Sequence, residues 1–160
     1  MSEETSMRIG SGSLGRVLVM RLGPGADLYK SLQELARREN IKAGVILSGA
    51  ASLRQAVLRN VKSVPKEFPI TDANRLYVAK EEPMELLALS GNFSQRDGEI
   101  HVHAHVTIST GAEDGRAYGG HLVEGNIVMS LAEIVVAEIV GLPMVRHIDP
   151  ETKAPELYFE

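Results

Sequence analysis

The chain has 160 residues, 44% of them hydrophobic and 24% charged, which is the size and composition of one globular domain and excludes both a disordered chain and a fibrous repeat. Its 17 Lys and Arg against 21 Asp and Glu leave a net charge of -4, so nothing draws the molecule as a whole to a phosphate backbone and any contact with nucleic acid has to be local. With no Cys, disulfides, thiolate metal sites and Cys nucleophiles are excluded, and His, Asp and Glu are the metal ligands that remain. With no Trp, four Tyr and three Phe, base-stacking platforms are poorly supplied. The opening MSEETSMRI carries two glutamates and no apolar run, unlike a secretory signal, and no apolar stretch approaches the ~18 residues that span a bilayer. The cytoplasm is the expected compartment.

Residues 1–13 read as a flexible, Gly/Ser-rich lead-in, 14–145 as one domain and 146–160 as an irregular C-terminal arm with two prolines. Gly10, Gly12 and Gly15 match a dinucleotide-binding pattern, but they precede the first strand-like run instead of joining a strand to a helix, so the match is discarded. From Gly15 to Leu22 a Val/Leu-rich run ending at Gly23-Pro24-Gly25 predicts a strand. Asp27 then caps a helix in which Leu28, Leu32, Leu35 and Ala36 share one face and Arg37 and Arg38 suit the negative end of the macrodipole. AGVILSGAAS predicts a buried strand broken at Gly49, while LRQAVLRNV permits either period. Residues 63–82 read as a loop with a short edge strand at Arg75 to Ala79. Met84 to Val140 is strand-dominated, in runs separated by Asp/Gly turns. The expected class is α/β in the α+β sense: a largely antiparallel sheet with one main helix packed on it.

The stretch from Ile100 to Ser109 alternates strictly, with His101, His103 and His105 on one face and Val102, Ala104, Val106 and Ile108 on the other. Alternate residues of a strand lie ~6.6 Å apart, which lets an adjacent pair of rings converge on one ion. Either His101 with His103 or His103 with His105 forms that couple. If Asp114-Gly115 makes a hairpin, the chain returns and brings His121 beside the His strand as a third nitrogen. Three protein nitrogens leave a coordination position open, as in catalytic more than in structural zinc. A polar sheet face that happens to carry histidines is the competing reading.

The runs HAHVTIS, DGRAYGGHLVEGNIV and AEIVV, with RLGPGADLYKSLQELA, AGVILSGAASLRQAVL and MELLALSGNFS upstream, resemble the PPC domain, the plants and prokaryotes conserved family that also occurs beside AT-hooks in plant nuclear proteins. The resemblance covers roughly Arg16 to Val140. It implies a compact homotrimer and, in prokaryotic members, a metal site usually occupied by zinc. The family's His-x-His falls on His103 and His105 and its Gly-Gly-His on Gly119, Gly120 and His121, so the resemblance makes these three histidines the ligands. His101 lies outside that motif and is kept as a spare or outer partner. The family's acidic residue falls on Glu133, as an outer carboxylate or a general base beside the metal, with a structural or solvated residue as the competing reading. The Arg-Gly-Arg-Pro hook of the plant proteins does not occur in this sequence, so DNA association rests on the family likeness alone.

Three functions compete. The leading one is a non-enzymatic, metal-binding homotrimer acting in regulation or protein interaction. The second is a small zinc enzyme in which His103, His105 and His121 hold a metal-bound water that acts on a carbonyl or phosphoryl group, with Glu133 as base; no nucleophile motif accompanies it. The third is a DNA-associated regulator whose basic residues, Arg54, Arg59, Lys62, Lys66, Arg75 and Lys80, are interspersed with Glu67, Asp72, Glu81 and Glu82. His147 reads as a surface residue.

Overall fold

A computed structural model describes residues 7–112 and 114–160; residues 1–6 of the expected lead-in lie outside the described residues. The elements are β1 (Ser13–Leu22), α1 (Leu28–Arg38), β2 (Gly44–Val61), β3 (Arg75–Lys80), β4 (Met84–Arg96), β5 (Glu99–Thr110), β6 (Ala117–Leu122), β7 (Ile127–Val140), β8 (Met144–Ile148) and β9 (Pro155–Phe159), with a short 3-10 turn over 72–74. All nine strands join one sheet in the order β1-β7-β2-β6-β5-β4-β8-β9, with β3 on β2. All pairings between these strands are antiparallel except that of β4 with β8.

The length of β2 shapes the fold. Its first half pairs with β4 and its second half with β6, through Leu58–Leu122 and Arg59–His121. Because β4, β5 and β6 are themselves consecutive neighbours, the four strands close into a ring. The expected break at Gly49 does not occur: β2 is one strand of 18 residues that bends through bulges. Gly49 serves a close approach, since a Cβ there would stand 2.9 Å from a Leu89 methyl carbon.

Inside lies an apolar core of Leu28, Leu32 and Ala36 from α1 with Leu53, Leu58, Phe93, Val102, Val106, Ile108, Leu122 and Ile134 from the strands. The helix starts where expected because Asp27 accepts from the Lys30 amide at 3.1 Å. Its other carboxylate oxygen accepts from the Gly125 amide at 2.7 Å, which ties the helix start to the turn before β7. Arg75 to Lys80 is a strand in the otherwise irregular 63–82 segment, as its sequence suggests.

The C-terminal arm differs from expectation. Residues 144–159 form the β8–β9 hairpin, and β8 extends the sheet beside β4. The prolines that suggested irregularity punctuate the turn: Pro150 lies in it, and Pro155 opens an edge strand, where a missing N–H costs little.

Candidate metal centre

β4 and β5 are joined at Asp97–Gly98 and β5 and β6 at Asp114–Gly115, and all four residues have positive φ, between 52° and 81°. Asp-Gly is the dipeptide that adopts such turns cheaply. The second turn returns the chain so that His121 stands directly opposite His105, while alternation along β5 puts His103 and His105 on the same face. The ring centroids of the three imidazoles lie 5.1–5.4 Å apart. One nitrogen from each lies within 4.8 Å of the others.

The closest pair is His103 Nε2 and His105 Nε2, at 3.3 Å. Two nitrogens held about 2.0–2.1 Å from a tetrahedral ion stand about 3.3–3.4 Å apart, so this pair already has the spacing of two ligands of one metal. The donor set therefore fits a divalent ion such as zinc, with a fourth position open. Burial is the main force on these rings. It pushes His121 down to about 3, with Arg59 next in importance, and lowers His103, with Arg146 next. Both rings stay neutral at physiological pH, the form that binds metal.

Arg146 is a site residue that sequence reasoning missed. It reaches the cluster from β8 and is only 7% exposed. Its Nε donates to Ser94 Oγ at 3.0 Å, its Nη1 to the Pro155 carbonyl at 3.0 Å, and its Nη2 to Asn92 Oδ1 at 3.2 Å and to His103 Nδ1 at 3.1 Å. A guanidinium can only donate, so His103 Nδ1 accepts and the neutral ring keeps its proton on Nε2, pointing at His105. Arg146 thus fixes the orientation of His103. A metal at the triad takes the place of that Nε2 proton. Arg146→Met leaves Ser94 Oγ and Asn92 Oδ1 short of a donor, and a loss of about 1–3 kcal/mol in urea unfolding is expected. An unchanged midpoint would show that Arg146 does not hold the site. The signal in the sequence was faint: an arginine at an inward position of the alternating Met144–Ile148.

The other named residues lie outside the set of converging nitrogens. His101 lies on the same strand face, opposite Ser94, and is pushed down to about 4 by burial and then Arg146, but it is outside the convergent cluster. Glu133 is exposed on β7, opposite Ala50. Arg59, the β2 residue opposite His121, is nine positions further along, about 30 Å of strand. Glu133 thus stands on a strand that pairs with β1 and β2 and with neither of the histidine strands. His147 is exposed and pairs with Glu160 at 3.0 Å. Gly120 lies under the Asn60 side chain, whose carboxamide oxygen would stand 2.9 Å from a Cβ there, whereas Gly119 is exposed on the face of His121.

Fold and site together define a small, mostly antiparallel β protein with a three-imidazole centre on its outer face. The chain belongs to the Plants and Prokaryotes Conserved (PCC) domain family, whose family model matches residues 9–140. It resembles a plant- and prokaryote-conserved (PPC) protein from Pyrococcus horikoshii, at 29% identity and TM-score 0.76, covering 96% of this chain and 98% of that one. It is equally similar to a metal-containing protein from Archaeoglobus fulgidus, at 29% identity and TM-score 0.74 over 95% and 99% of the two chains. A curated relative, the bifunctional protein GlmU of Synechococcus sp. (strain JA-3-3Ab), is 38% identical over 150 residues; these are 94% of this chain and 21% of that protein. The chain thus spans about a fifth of the length of that relative.

Proposed function

We propose that this PPC-domain protein binds one divalent metal ion, zinc in the first instance, through His103, His105 and His121, and acts as a homotrimeric module of regulatory or interaction type. The observation that carries the metal reading is the convergence of three imidazoles with two nitrogens already at ligand spacing. The metal-containing A. fulgidus relative supports it. Elemental analysis of purified protein tests it: about one zinc per chain is expected, and none after incubation with zinc at neutral pH would overturn it.

The trimer is supported by apolar side chains left exposed on four strands of the sheet, Val17 and Val19 on β1, Leu131 on β7, Leu47 on β2 and Leu87 on β4, more than a small monomer comfortably leaves to water. Sedimentation equilibrium is expected to return about three chain masses. A monomer at all concentrations would overturn it.

The open coordination position favours a second reading, an enzyme using metal-bound water. No nucleophile motif accompanies that reading, so the non-enzymatic module is preferred. DNA association, which the family likeness implies, finds little support in charge: of the basic residues, Arg75 pairs with Asp72 at 3.0 Å and Lys80 lies 4.0 Å from Glu82. Binding to duplex DNA that falls steeply with salt would identify it. Among the described residues no helix is long and apolar enough to cross a membrane.

A further inference from the structure

Arg59 is a cation of this surface that the metal reading does not use. It stands directly opposite His121, and opposed residues of an antiparallel pair hold their Cβ atoms about 5 Å apart on one face of the sheet. His121 is in turn opposite His105, so a guanidinium and two imidazoles form one row across three strands. Arg59 is partly buried, yet among the described residues it makes no hydrogen bond or ion pair. A partly buried charge is ordinarily paired. Its field nonetheless reaches the cluster, where it contributes to the lowering of His101, His103 and His121.

The charge of the site is unbalanced. Arg146 flanks His103 from the other side, and its hydrogen-bond partners are a hydroxyl, a carbonyl, an amide and an imidazole, none of them a carboxylate. The carboxylate whose charge reaches His103 is Glu156, itself bonded to the Thr152 hydroxyl at 3.1 Å. Three imidazoles bring no negative charge to a divalent ion, so the metal and two guanidiniums would face a single acid. The approach is also clear. Gly119 precedes His121 by two residues on the same face of β6 and carries no side chain of its own to stand over the ring from the hairpin side.

We propose that this face is a small-oxyanion site, in which a carboxylate or phosphate group fills the open position of the metal and pairs with the Arg59 guanidinium. The proposal rests on the metal reading. A guanidinium fork is the side chain best matched to either anion, by two parallel N–H donors, and an anion there completes the coordination and supplies the charge that Arg59 lacks.

Calorimetric titration of the zinc-loaded protein with acetate and, separately, with inorganic phosphate tests it, with zinc per chain measured on the same samples. Saturable binding of at least one anion is expected, weakened at least tenfold in Arg59→Met with zinc content unchanged and partly restored in Arg59→Lys. The anion preferred shows whether the site is built for carboxylate or for phosphate. No binding of either anion to the zinc-loaded protein, or equal binding by Arg59→Met, would overturn the proposal. An Arg59→Met protein that loses zinc together with the anion would make Arg59 a structural residue and also overturn it. Failure of the unaltered protein to take up zinc would overturn the metal reading and this proposal with it, and the zinc measurement distinguishes that failure from the others.

Discussion

Replacing His121 with alanine is expected to strip the protein of its metal, from about one ion per chain to less than a tenth by elemental analysis. Removing one of three ligands exceeds the ten- to hundredfold loss in affinity that follows from disturbing an outer hydrogen-bonding partner. His103→Ala and His105→Ala should behave alike, because their Nε2 atoms stand 3.3 Å apart and hold opposite sides of one position. His101→Ala and His147→Ala should keep the metal: the first lies outside the convergent set, and the second is bonded to Glu160 on the C-terminal hairpin. Protons compete weakly at His121. Its lowered value, about 3, means that the neutral, ligating form persists to far lower pH than in an ordinary histidine, which is about nine-tenths protonated at pH 5.5. Equal retention of metal by all five variants would sink the assignment.

Phe93→Ala is the core substitution expected to cost most. Phe93 is fully buried and heads the large inaccessible side chains. It lies opposite Val102 on β5 and Gly44 on β2, and its ring occupies the space that a side chain at Gly44 would need, a Cβ there lying 3.2 Å from Cδ2. No neighbour can collapse into the void from the glycine side. Truncation of a buried phenylalanine costs about 3–5 kcal/mol, a large part of the roughly 5–15 kcal/mol that holds a domain together. Urea unfolding should show a much lower midpoint with an unchanged slope. A loss under about 1 kcal/mol would mean that the core centre lies elsewhere. Because Asn92 and Ser94 flank Phe93 on the opposite face and hold Arg146, the variant also reports how far the imidazole cluster depends on the core beneath it.

Much of this arrangement was legible in the sequence because it is local. Strict alternation over residues 100–109 put three histidines on one face, and Asp114-Gly115 marked the turn that returns His121. Asp27 announced the helix start. The parts that escaped depend on contacts between distant segments. Gly49 looks like a strand break until Leu89, forty residues away, is seen to need its space. Arg146 looks like the start of a loose arm until β8 docks beside β4. Glu133 was named from the family likeness alone, and its partners, β1 and β2, are strands that only the folded sheet brings to β7. Arg59 was one basic residue among six until its register with His121 singled it out.

The three histidines all belong to a single hairpin, β5 and β6 with their turn, and this bears on how the protein matures. Bringing His121 to His103 closes a loop of about twenty residues, whereas pairing Ser13 with Val140 closes one of well over a hundred. The shorter closure is favoured by roughly 1–2 kcal/mol in chain entropy. An ion bound as proposed could therefore be captured by a nascent hairpin before the long strand β2 and the first and last strands have found their partners. In that order of events the proposed metal would act as an early staple, setting the β5–β6 register and offering the rest of the chain a preformed edge on which to condense.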